Sequence, residues 1–243
     1  MRERSAALPV PRIDVVGDAA LIATLANDLD LDVSRWALRA AAWLEARRPS
    51  IPGLGAPVPG HASVLVPFDP DRLPETAVRS LIADALEQTR RPFGGDRADS
   101  GEGPAMHGVT GVLHEIAVSY GGADGPDLAD VAARTGLPLA EVVALHASVE
   151  YRVLVLGFVP GFPYLGIVPA ALELPRRPTP RTRVPSGSVA IAGRQTGIYP
   201  FETPGGWHLI GRTDVALWDP LREPPALLAP GDRVRFIPTR VAG

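Results

Sequence analysis

Residues 157–212 read GFVPGFPYLGIVPAALELPRRPTPRTRVPSGSVAIAGRQTGIYPFETPGGWHLIGR, and the reading of this stretch decides the fold. It contains nine glycines and nine prolines, a density that without large apolar groups marks a disordered segment. Phe158, Phe162, Tyr164, Tyr199, Phe201 and Trp207 stand among them, with Val189, Ile191, Leu209 and Ile210. A chain this rich in apolar side chains buries them, so the stretch predicts a rigid, turn-built surface. Its charge is lopsided: Arg176, Arg177, Arg181, Arg183, Arg194 and Arg212 face only Glu173 and Glu202. Such an arginine-lined, glycine-permissive surface suits a small anionic ligand.

Outward from that stretch, short strand patterns at 153–156, 188–192, 208–211, 215–218 and 232–237 predict a β-barrel or sandwich. A strand at 111–120 and two short helices at 127–134 and 138–147 precede them. The first ninety or so residues alternate a strand at 13–16, a helix at 34–47 capped by Asp32 or Ser34, a strand at 62–68 and a helix at 74–89. That order predicts a small open-faced α+β sandwich. Between the halves, RPFGGDRADSGEGPAMHG (91–108) is polar and glycine-rich. The expected organisation is an α+β domain over 1–92 and a mainly β domain over 93–243, with 93–108 as a linker or mobile loop.

Composition excludes several classes of function. The 243 residues are 46% hydrophobic and 21% charged, as in ordinary globular proteins. No apolar run reaches membrane-spanning length. The N-terminal MRERSAALPVPRIDVV lacks the apolar core of a signal peptide, which points to the cytoplasm. Without cysteine there is no disulfide, thiolate metal site or cysteine nucleophile. Without lysine there is neither a phosphate-binding P-loop nor Schiff-base chemistry. A net charge of −3 gives no reason to expect a nucleic-acid partner.

Each candidate motif has a plain structural reading beside its functional one. Residues 128–146 have helix-turn-helix rhythm, but no Arg or Lys lies between Thr135 and Tyr151, so a structural helical pair is expected. The histidines lack metal-ligand spacing. His146, at a helix end four residues before Glu150, is either a dipole-stabilising group or one half of a proton-transfer pair with Glu150. Ser186, Gly187 and Ser188 form either a plain bend or an anion-binding nest of N–H groups. Prolines between Arg176 and Arg183 stiffen that run, so Arg181 and Arg183 are candidates to hold an anion, with Arg212 beside them. Gly205 and Gly206 permit close backbone approach. Trp207 is either core or pocket wall, and Phe162 and Tyr164 are candidate walls with it. Gln195 and Thr196 are candidate polar orienters.

The same residues carry a family resemblance. GPDL (125–128), His146 with Glu150 and Tyr151, LGFVPGFPYLG (156–166), the PR…PR run leading into VPSGSVAIAG (175–193), QTGIYP (195–200), TPGGWHLIGRT (203–213) and LLAPGDRVRF (227–236) resemble the B-subunit family of bacterial 5-oxoprolinase (PxpB), also called allophanate hydrolase subunit 1 or KipI. Val149 stands where relatives tend to have Gly, and Tyr164 where they commonly have Phe. The resemblance implies a cyclophilin-like barrel after the α+β domain, and a complex with the homologous C component and with the A component of the enzyme. That complex cleaves 5-oxo-L-proline to L-glutamate with ATP, and magnesium is implied by the nucleotide. It implies no metal site in this chain. Two other roles occur among similar sequences: inhibition of a histidine kinase, and half of a biotin-dependent urea or allophanate-type carboxyltransferase.

Overall fold

The computed structural model describes residues 10–90 and 111–242. The chain divides into two compact units, Met1–Thr110 and Gly111–Gly243. The segment expected to link them, 93–108, lies outside the described residues.

In the first unit, β1 (Arg12–Val15), β2 (Ala20–Thr24), β3 (Val58–Pro59) and β4 (Ser63–Pro67) form an antiparallel sheet in the order β1-β2-β4-β3. Alternation sets its inner face: Leu21 and Ala23 oppose Val66 and Val64, and all four are buried. Helices α1 (Leu31–Arg47) and α2 (Glu75–Thr89) pack on that face. Trp36 is buried between them and donates from Nε1 to Leu86 O at 3.1 Å. The expected α+β sandwich is therefore present. Helix α1 begins earlier than the apolar periodicity indicated, because Asp30, rather than Asp32 or Ser34, caps it. Its carboxylate accepts from the N–H groups of Asp32 and Val33 at 2.8 and 3.1 Å.

The second unit is a closed seven-strand barrel carrying two helices and a small flanking sheet, so the expected mainly β architecture is also present. Its elements are β5 (Leu113–Gly121), α3 (Leu128–Thr135), α4 (Leu139–Ala147), β6 (Glu150–Leu156), β7 (Pro163–Gly166), β8 (Arg181–Val184), β9 (Ser188–Ala192), β10 (Gln195–Ile198), β11 (Thr203–Gly205), β12 (His208–Arg212) and β13 (Arg233–Ala242). Around the barrel the order is β10-β7-β6-β13-β5-β12-β9, and β9 pairs with β10 to close it. The β13–β5 pair is parallel and the other pairs are antiparallel. The strand expected at 215–218 does not form; Trp218 makes a single bridge to Ala226.

Period-two alternation divides the barrel wall into two cores. Val189, Ile191 and Ile210 point inward and join Ile116, Val118, Val153, Leu165, Val234 and Phe236. Ala190, Ala192 and Leu209 point outward and join Phe162, Val184, Tyr199 and Trp207. The outer group is roofed by the β8–β11 pair. The two small alanines leave the thickness that large rings require, so this outer core draws its aromatics from the glycine- and proline-rich stretch.

Candidate functional site

The outer core centres on Phe162. Its ring meets Tyr164, Tyr199, Trp207 and Phe158 edge-on, with centroids 4.9, 5.1, 5.6 and 5.7 Å away. Tyr164 also meets Trp207 at 5.8 Å. Phe162, Tyr199 and Trp207 are buried, Tyr164 is half-buried, and Phe158 is 57% exposed with a left-handed φ of 68°. A non-glycine residue in that conformation carries strain that its surroundings must impose. The three aromatics expected as walls thus come together. Trp207 is core, and the accessible part of the wall belongs to Tyr164 and Phe158. Gly205 lies so close to Tyr199 that a Cβ there would fall 2.8 Å from ring carbon Cζ. Burial pushes the Tyr199 hydroxyl up to about 12, against opposing effects from the Trp207 backbone and from Arg176 and Arg181.

Beside this face, a buried carboxylate that lies in the GPDL motif (125–128) but is not among the candidate site residues gathers two arginines. Asp127, at the N-terminal end of α3, receives Arg181 in bidentate fashion at 2.7 and 2.8 Å and Arg177 at 2.8 Å. The Leu209 N–H donates to the same carboxylate at 2.7 Å. Burial by itself would raise the Asp127 carboxyl. The hydrogen bonds from Arg181 and Leu209, with the charges of Arg181 and Arg177, outweigh burial and hold it below the ordinary carboxylate range. Arg181 is therefore engaged inside the protein, and the expectation that it holds an external anion is corrected. Arg183 points elsewhere and pairs with exposed Glu202 at 2.7 Å.

The serine turn closes on itself. Ser186 and Ser188 donate their hydroxyls to Pro200 O and Pro185 O, at 2.9 and 2.8 Å. The Gly187 and Ser188 N–H groups donate to Tyr199 O and Pro185 O. Gly187 has φ 77°, and a Cβ there would run into Thr213 O. Its N–H groups face carbonyls, so the plain-bend geometry holds in place of the expected nest.

His146 and Glu150 are not brought together, which corrects the expected proton-transfer pair. Helix α4 places Val142, Val143 and His146 on its buried face. His146 bridges β5 to β10 across the barrel interior, with Nδ1 2.8 Å from Tyr120 Oη and Nε2 2.9 Å from Thr196 Oγ1. Thr196 gives its one proton to Ala190 O at 2.9 Å. It must therefore accept from His146 Nε2–H, which leaves Nδ1 to accept from the Tyr120 hydroxyl. Desolvation lowers His146 to about 3, so it is a neutral, fully bonded core residue. Glu150 lies on the outside of β6, bonded to Arg233 at 2.7 Å and Arg235 at 3.2 Å. Strand alternation separates the polar orienters in the same way: Thr196 faces the barrel interior, and Gln195 faces outward beside Ala192 and Gly166. Arg212 is exposed at the far end of β12, opposite Ser188. Gly206 accepts the Arg177 N–H at 2.8 Å.

Among the described residues no cluster of His, Asp or Glu could hold a metal, and no helix is long and apolar enough to cross a membrane.

Comparison with known proteins places this geometry. Residues 11–228 match the family model described as carboxyltransferase domain, subdomain C and D. The chain is 44% identical to the 5-oxoprolinase B subunit of Escherichia coli O157:H7 over 94% of its own length and 96% of that protein. To the 5-oxoprolinase B subunit of Bacillus subtilis strain 168 it is 38% identical, over 93% and 92%. A solved structure of the protein TTHA0988 shares 41% identity with a TM-score of 0.74, covering 92% of this chain and 40% of that longer one. The urea amidolyase of K. lactis shares the fold, with a TM-score of 0.75 at 19% identity over 99% of this chain and 15% of that one.

Proposed function

This chain belongs to the family of 5-oxoprolinase B subunits, and on that premise we propose that it is the B subunit of a cytoplasmic, ATP-dependent complex that opens 5-oxo-L-proline to L-glutamate together with A and C subunits. The near-complete two-way coverage at 44% identity carries this reading. The outer face gives it a physical basis. A lactam acid offers a flat amide ring and one negative charge. Tyr164 and Phe158 offer ring edges and faces, and the neighbouring arginines offer positive charge.

Among the described residues no cradle suits a triphosphate. The chain has no lysine, the Gly187 and Ser188 N–H groups are given to carbonyls, and Arg177, Arg181 and Arg183 are paired to carboxylates. In this reading ATP and its magnesium are held by the other subunits. The task of this chain is to bind and orient the small acid.

The test is turnover by the assembled complex. Copurified with the A and C subunits, the chain should support ADP release that depends on 5-oxo-L-proline and matches glutamate formed one for one. An intact complex that releases no ADP with this substrate overturns the proposal.

A further inference from the structure

The arginines of the 176–212 stretch are not equivalent, and their pairing singles one out. Arg177 and Arg181 converge on Asp127, and Arg183 is paired with Glu202. Arg194 has its own contacts. Among the described residues, the side chains of Arg176 and Arg212 make neither a hydrogen bond nor an ion pair. Arg212 lies five residues along β12 from Trp207, a rise of roughly 16 Å at strand spacing. Arg176 is the one beside the aromatic face.

Its placement is fixed by its neighbours. Pro175 O accepts from His208 Nε2 at 2.9 Å, and Arg177 N donates to Gly206 O at 2.8 Å, next to Trp207. Leu174 is bridged to Gly193. The backbone is thus pinned on both sides of Arg176. Arg177 turns its side chain to Asp127, and the charge of Arg176 acts on the hydroxyls of both Tyr164 and Tyr199 in opposition to the burial that raises them. The Arg177–Asp127–Arg181 group adds one uncompensated positive charge nearby, because two guanidinium groups share one carboxylate.

We propose that Arg176 receives the carboxylate of a small, flat amide-bearing acid whose ring lies against Tyr164 and the exposed edge of Phe158. This rests on the functional reading above and names the residue that sets its preference for acids. An exposed, partnerless guanidinium on a pinned backbone loses little on meeting a carboxylate, since it gives up no internal partner and its backbone is already positioned.

The experiment measures binding of 5-oxo-L-proline and of its uncharged primary amide to the complex with the A and C subunits, for wild type, Arg176→Ala and Arg176→Lys. Wild type should prefer the acid. Arg176→Ala should lower the acid-to-amide ratio about 10- to 100-fold, the range expected for one charge-assisted contact, with amide affinity held within about twofold. Arg176→Lys should recover part of the ratio, as a point charge without the planar fork. Equal loss for both ligands, or an unchanged ratio, overturns the assignment of Arg176 while leaving the functional reading intact. A wild-type complex that binds neither ligand overturns that reading and this one with it.

Discussion

Arg181→Ala distinguishes an internal clamp from a ligand-binding arginine, and its cost can be worked from the structure. Asp127 accepts four hydrogen bonds: two from Arg181, one from Arg177 and one from the Leu209 N–H. The substitution removes two of them and leaves a carboxylate whose side chain is 5% exposed. Breaking a buried ion pair from one side costs about 3–5 kcal/mol. The Arg181 side chain is 25% exposed and Arg177 remains, so solvent screening reduces this to about 2–3 kcal/mol. For a unit of this size that corresponds to a fall in Tm of roughly 10 °C. Asp127→Asn keeps the shape without the charge, and the double variant should be less damaged than the sum of the singles by about 1–2 kcal/mol. The pH dependence has a definite sign. The Asp127 carboxyl is held below its unfolded value, so its stabilisation is present above the ordinary carboxylate pKa and is lost as pH falls through about 4 and below. Asp127→Asn should lack that acid limb. Calorimetry between about pH 3 and 7 reads both effects. An Arg181→Ala protein that melts with wild type yet no longer binds 5-oxo-L-proline would falsify the internal-clamp account.

Two further substitutions probe the barrel. His146→Phe strands the Tyr120 hydroxyl and removes the donor to Thr196, so it should cost about 2–4 kcal/mol in urea unfolding. His146 is lowered to about 3 in the folded state against about 6.5 when unfolded. Its contribution is therefore complete above about 6.5 and declines as pH falls toward about 3, a slope that His146→Phe should flatten; an unchanged slope would refute the neutral-core assignment. Gly187→Ala should cost about 1–3 kcal/mol through its positive φ and its approach to Thr213 O, and a urea midpoint equal to wild type would contradict this.

Periodicity made the architecture legible. Alternation in 188–192 and in 208–211 announced strands, and the aromatics among the glycines announced burial rather than disorder. The strands β7, β8, β10 and β11 leave no such mark, because each is four residues or fewer and contains or adjoins proline or glycine. Their signal spans at most two periods of alternation, and pairing with neighbouring strands rather than propensity holds them extended. The position of His146 was available in principle: it follows Val142 and Val143 at four and three residues, the spacing of one helical face, and both valines are buried. Its distance from Glu150 along the chain carries no such information, since the strand after α4 turns Glu150 outward.

The arginine cluster shows why charge counts alone mislead about a site. Arg181 and Asp127 are 54 residues apart in the chain, and a single sequence holds no signal for such a pair. The surplus of arginine in 176–212 reads the same whether each cation faces solvent, an internal carboxylate or a ligand. Only partner assignment separates them. Arg176, Arg177, Arg181 and Arg183 all stand between prolines, yet the last three are paired to Asp127 or Glu202, where an incoming anion would have to displace a carboxylate already bound at 2.7 or 2.8 Å. A cation left without an acid while its backbone is tied on both sides meets an anion at lower cost. Constraint on the main chain combined with freedom of the side-chain charge is therefore the property that marks a binding arginine in this fold, and in the stretch that decides the fold Arg176 combines both beside an aromatic wall.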